Sequence, residues 1–176
     1  IDGSHIEEGD SIIALRSSGL HTNGYSLVRK LLLARGGYRL EQYVDALGKT
    51  LADELLSPHK CYATPVRKLM DEFAIRGMAH ITGGGLTDNI PRILPKTLDA
   101  GIQLSTWRPL PIFELIRQEG NIERDEMLRT FNMGVGMVLI VSPSDESAAL
   151  KNLRDRDEDA WIIGHIVRGK GVVKYV

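Results

Sequence analysis

The stretch that most constrains this chain is His80-Ile81-Thr82-Gly83-Gly84-Gly85-Leu86-Thr87-Asp88-Asn89-Ile90-Pro91. A short apolar segment ends in Thr82, three glycines follow, and a helical pattern begins. Adjacent glycines permit positive φ and let another group come close to the main chain. The first N–H groups of a helix lack intrahelical partners and point back at the loop. That combination suits an anion, phosphate above all. Taken alone, three glycines equally fit a flexible connection with no ligand.

A second loop of the same kind stands near the start of the chain. Asp10 to Leu15 is a short apolar run, read as a buried strand. Arg16-Ser17-Ser18-Gly19-Leu20-His21-Thr22-Asn23-Gly24 follows, and Tyr25 to Ala34 carries Leu27, Val28, Leu31 and Leu32 at helical spacing. Hydroxyls, an amide, an imidazole and a helix start converge at a strand's end, which fits phosphate oxygens. The plain alternative is a hydrogen-bonded loop with Asn23 as helix cap. A third loop, Arg129 to Met137, offers Asn132 to an amide or ribose group, with Gly134 and Gly136 after it allowing close approach, or else a bulged strand start.

The remaining pattern predicts weak helix over 50–56, with 38–50 irregular before it. A helix opened by Thr64-Pro65 runs to Gly77, and Met78 to Thr82 is a strand. The glycine loop leads into a helix through Ile93. Gln103 to Thr106 reads as a strand, Pro109 or Pro111 to Gly120 and Glu123 to Thr130 as helices. Met137 to Val141 is a buried strand, and Ser144 caps a helix to about Asn152. Trp161 to Val167 and Val172 to Val176 read as a closing pair of strands around Gly169-Lys170-Gly171. The order predicts an α+β domain, a mixed β-sheet packed with helices.

Composition narrows the function. The chain has 176 residues, 43% hydrophobic and 26% charged, with net charge −1, enough for one globular domain with a real core. Lys and Arg are scattered, so nucleic acid is not the expected partner. No apolar run approaches a membrane span. The single cysteine, Cys61, cannot form an internal disulfide and is read as a plain thiol in a reducing compartment, so the expected location is cytoplasmic. There is no Walker loop, dinucleotide fingerprint, CxxC or HExxH. Acidic residues are not paired to hold magnesium, so no metal ligand is named. His80 precedes Thr82 by two residues, so both are expected on one side, where an imidazole can donate to an anion or sit satisfied in the core.

The three motifs together resemble phosphoribosylformylglycinamidine cyclo-ligase, also called aminoimidazole ribonucleotide synthetase. The resemblance rests on Ser17 to Arg29, on Ala79 to Leu86 with Asn89-Ile90-Pro91-Arg92, and on Arg129 to Met137, in the family's order. It is to the C-terminal half only, which implies that 1–176 is a single C-terminal domain and that the N-terminal ATP-binding half is absent. The start at Ile1 agrees with a natural piece or a truncated one. The resemblance implies a purine-pathway ligase in which ATP activates a formyl amide oxygen as a phosphate ester. An amidine nitrogen then attacks and closes the imidazole ring, releasing phosphate. ATP and Mg would be held mainly by the missing half, with formylglycinamidine ribonucleotide and ATP as partners and a homodimer as the family assembly. The fragment alone is expected to be inactive and to self-associate through its uncovered interface. On this reading His21 and His80 donate to developing charge, and Ser17, Ser18, Gly19, Thr22, Asn23, Thr82, Gly83, Gly84, Gly85 and Asn132 bind phosphate or substrate. A binding or oligomerisation module, or part of a related ATP-dependent kinase or synthetase, is the alternative.

Overall fold

The computed structural model describes residues 1–176. Its strands are β1 (Ser11–Arg16), β2 (Tyr43–Val44), β3 (Lys49–Thr50), β4 (Gly77–His80), β5 (Leu98–Ile102), β6 (Val135–Val141), β7 (Ala160–Arg168) and β8 (Val173–Tyr175). Its helices are α1 (Tyr25–Val28), α2 (Leu51–Leu55), α3 (Ala63–Met70), α4 (Gly85–Asn89), α5 (Pro111–Gly120), α6 (Arg124–Thr130) and α7 (Glu146–Arg154). A π-helical stretch, Arg29–Arg35, continues α1, and 3₁₀ turns cover Ile90–Ile93 and Leu104–Thr106.

Six strands form one sheet in the order β4-β6-β1-β7-β5-β8, while β2 and β3 make a separate small hairpin. All pairings in the large sheet are antiparallel except β5 with β8, which is parallel. The expected α+β class with a mixed sheet is therefore what the chain adopts.

Alternation along β1 explains the layering. Ile12 and Ala14 enter one core with Leu86 and Ile90, the buried side of α4 and the turn after it. Ile13 and Leu15 enter the opposite core against Val66 and Leu69 of α3 and Ala149 and Leu153 of α7. A third cluster is mainly helical and joins Leu31, Leu32, Phe113, Ile116, Leu128 and Phe131. The sheet is thus buried on both faces at its centre. Every residue of β6 is buried, which is why its unbroken apolar run is so legible.

Several expectations need correction. The strand expected at Gln103–Thr106 is Leu98–Ile102 instead. Its inward residues Leu98, Ala100 and Ile102 do alternate, but Asp99 and Gly101 between them are residue types depleted in strands, which weakens the signal. Asp99 is itself buried because it accepts from the N–H groups of Lys170 and Val172 and pairs with Lys174. The closing strands do not pair with each other, since β5 lies between β7 and β8. Residues 38–50 hold a short hairpin rather than only irregular chain. Neither Thr64 nor Ser144 caps a helix: α3 is capped at Tyr62 and α7 at Asp145, both without side-chain cap bonds. The helix after the glycines is a five-residue α-helix followed by a 3₁₀ turn, so its dipole is small.

Candidate functional site

One end of the sheet gathers the loops singled out above. The C-terminal end of β1 feeds Ser17–Gly24, that of β4 feeds Ile81–Gly84, and the loop before β6 supplies Asn132–Gly134. The first two loops adjoin: a Cβ built on Gly83 would lie 3.7 Å from Asn23 Oδ1.

The glycines of the triplet have different jobs. Gly84 and Gly85 have φ of 98° and 57°, in the left-handed region that favours glycine. A side chain on Gly85 would also run into the carbonyl oxygens of Leu128 and Phe131. Gly83 is under no such demand: it is exposed, and a Cβ there would meet only the Asn23 oxygen at ordinary contact distance. The N–H groups of Gly83 and Gly84 have no acceptor in the protein. Asn89, which is buried, fixes this loop by donating from Nδ2 to Gly85 O at 2.8 Å and Gly83 O at 3.2 Å, while Thr82 Oγ1 donates to Asn89 Oδ1 at 3.1 Å.

The first loop is held in strained backbone. His21 and Thr22 have φ of 51° and 60°, and a β-branched residue in that region is an outlier. Each such residue costs on the order of 1–3 kcal/mol and persists only where the surroundings over-determine it. Asn132 is part of that restraint. It is fully buried, accepts from Ser17 Oγ at 3.0 Å and Gly134 N at 2.8 Å, and donates to Gly19 O at 2.9 Å. Ser17, Gly19 and Asn132 therefore build the loop from behind and do not face outward. Ser18 and Thr22 are exposed; their hydroxyls donate to Pro58 O and His21 O, both at 2.6 Å. Asn23 is not the helix cap, which is Gly24; its Nδ2 donates to His21 O at 2.9 Å and its Oδ1 turns toward Gly83.

His21 is buried, whereas His80 is exposed at the end of β4. Their ring centroids are 6.5 Å apart. Sequence reading missed His59, which the loop between α2 and α3 brings between them. It stacks on His21 at 4.0 Å and 16°, and its Nε2 lies 3.1 Å from Nε2 of His80. No local spacing marks His59; only the fold unites the three rings. Burial, reinforced by His59, His80 and Lys60, pushes His21 down to about 4. Burial and then His59 lower His80 below the ordinary histidine range. Both rings are therefore neutral donors or acceptors at neutral pH, not fixed cations. His21 Nε2 is 3.0 Å from Ser18 N and 2.9 Å from Ser18 Oγ, and its Nδ1 is buried without a partner.

A bulge in the sheet makes room for this cluster. The β1–β6 register slips between Leu15 and Arg16, which pair with Met137 and Val135 and skip Gly136. A Cβ on Gly136 would collide with Tyr62 Oη and lie 2.8 Å from His21 Cε1. Tyr62 uses the space to donate to Arg16 O at 2.8 Å. Bulges re-aim side chains beside functional sites, and here one seats the histidine.

Taken together, a mixed sheet packed with helices, with strained, glycine-lined loops gathered at one end, defines an α+β domain whose candidate site lies at that end. The same fold occurs in thiamine-monophosphate kinase from Stenotrophomonas maltophilia, with TM-score 0.65 and 18% identity over 99% of this chain and 52% of that one. Residues 7–176 match the family described as AIR synthase related protein, C-terminal domain, and the chain belongs to it. It is 51% identical over 170 residues to a phosphoribosylformylglycinamidine cyclo-ligase of Carboxydothermus hydrogenoformans and 49% identical over 169 residues to that of Alkaliphilus metalliredigens. These alignments cover 97% and 96% of this chain but 49% of each relative, so the chain spans about half their length. No helix is long and apolar enough to cross a membrane.

Proposed function

We propose that this chain is the C-terminal, substrate- and phosphate-binding half of an ATP-dependent cyclo-ligase. In this reading the whole enzyme closes the imidazole ring of aminoimidazole ribonucleotide from formylglycinamidine ribonucleotide, in purine biosynthesis in the cytoplasm. ATP and Mg belong mainly to a second, N-terminal half, and the whole enzyme pairs as a homodimer. The observation that carries the reading is the junction of Gly83 with Asn23: an open glycine, two N–H groups without acceptors and an amide oxygen at one surface. The identity to named cyclo-ligases supports it over a kinase, whose likeness to this chain is in fold.

The residues divide the work. Gly83 and Gly84 offer backbone donors to a phosphate, and Ser18 and Thr22 offer hydroxyls after exchanging their internal partners. Neutral His80 donates to the phosphate on the activated oxygen as ring closure breaks the C–O bond and negative charge develops on the departing phosphate, and His21 holds the loop behind it. Preorganised donors of this sort stabilise developing charge because they need no rearrangement during the reaction. Ser17, Gly19, Thr82, Gly85 and Asn132 act by fixing the two loops.

Calorimetric titration of the chain with formylglycinamidine ribonucleotide tests the reading. Saturable binding that Gly83→Ala abolishes is expected; absence of binding, or tighter binding of thiamine monophosphate, would contradict it. In a full-length relative, His80→Ala is expected to lower kcat by about 10²-fold or more.

A further inference from the structure

We propose that His59, His80 and His21 form a site for one divalent transition-metal ion of the zinc class. The Nε2 atoms of His59 and His80 face each other at 3.1 Å. Two ligand nitrogens on one tetrahedral ion, with bonds of about 2.05 Å, stand roughly 3.3 Å apart. Two imidazole lone pairs do not rest this close without a proton or a cation between them, so an ion can take the place of the shared proton. One ring nitrogen from each of the three residues lies within 4.8 Å of the other two.

His21 supplies the third ligand. It is 3% exposed and its Nδ1 is buried with no partner. Ser18 Oγ gives its own hydrogen to Pro58 O, so its lone pairs are free to accept from Nε2–H of His21. That tautomer leaves a lone pair on Nδ1 and reproduces the outer hydrogen bond that orients most metal-binding histidines. It gives up the bonds to Nε2 from Ser18 N–H at 3.0 Å and Lys60 N–H at 3.5 Å. His59 is exposed on its loop and stacks on His21 in the same pose that brings its Nε2 to that of His80.

Three imidazoles and no carboxylate select zinc, cobalt, nickel or copper and leave magnesium unbound. Three protein ligands also leave a fourth position for water or an oxyanion, the pattern of open zinc sites. Metal binding withholds His80 from the role given to it above, so zinc would oppose ring closure.

The test titrates the 176-residue chain with zinc chloride by calorimetry and with cobalt chloride by visible absorption, in phosphate-free buffer at neutral pH. One ion per chain with micromolar affinity is expected, with tetrahedral cobalt bands and no thiolate charge-transfer band. His59→Ala and His80→Ala, both at exposed positions, should each weaken binding by about 10-fold or more, with unchanged circular dichroism. Cys61→Ser, two residues from His59, should change nothing. Affinity weaker than millimolar, indifference to His59→Ala, or loss of binding in Cys61→Ser would overturn the site. Because no phosphate is present, failure here with ribonucleotide binding intact would remove the metal site and leave the substrate reading standing.

Discussion

Gly83 and Asn23 stand in contact distance across two loops that leave different strands, β4 and β1, with only Asn23 Oδ1 near the place a Gly83 side chain would occupy. The juxtaposition turns two glycine-bearing segments into one surface. It also separates a glycine that the fold needs from one that it does not.

Substitution of the two glycines should therefore have opposite effects. Gly85→Ala places a methyl group against the Leu128 and Phe131 carbonyls at positive φ, and should cost about 3 kcal/mol of stability. Gly83→Ala should change stability by about 0.5 kcal/mol or less yet lose ligand binding. Urea unfolding measures the first effect and ligand titration the second. Equal destabilisation by both would dissolve the distinction.

Asn132 is the anchor of the first loop. Its removal in Asn132→Ala leaves Ser17 Oγ, Gly134 N–H and Gly19 O without their buried partner. The expected loss is about 3 kcal/mol in urea unfolding, together with faster amide exchange across Ser17–Asn23. A loss below about 0.5 kcal/mol would mean that the loop holds itself.

The pH dependence has two separate windows. His21 titrates at about 4 in the folded chain against 6.5 for an ordinary histidine. Protonation therefore favours the unfolded chain, and this contribution to stability is complete above pH 6.5 and falls away between 6.5 and about 4. Asp99 is held well below its ordinary 3.8 by Lys174 and the N–H groups of Val172 and Lys170. Its contribution is present above that value and is lost at lower pH. Melting temperatures of His21→Gln should show a flatter slope than the parent between pH 6.5 and 4 and the same slope below. An unchanged slope in the upper window would show that His21 is not held neutral by its surroundings.

The fold was legible where burial is local and periodic. Met137 to Val141 and Asp10 to Leu15 announce themselves because both faces of those strands are covered. Leu98–Ile102 did not, because its alternation is short and carries Asp99 and Gly101, types depleted in strands, and the buried Asp99 finds its partners only later in the chain. The pairing of β5 with both β7 and β8 is equally invisible, since it depends on which strand is inserted between two neighbours in sequence.

The site shows the same division. Glycines and hydroxyls flagged both loops, and the loops do meet. What residue types could not reveal was orientation. Asn132 looks like a ligand contact by type, but it is buried and bonded inward. His59 follows Pro58 in an ordinary helix exit, and nothing short of the fold places its ring against His21 and His80.

Amide NMR of the chain during titration with formylglycinamidine ribonucleotide measures the junction of the two loops most directly. The account predicts that the resonances of Gly83, Gly84 and Ser18 to Asn23 shift together, with one saturation curve, and that the Gly83→Ala chain shows none of these shifts. Shifts confined to one loop, or centred on the far end of the sheet, would contradict it.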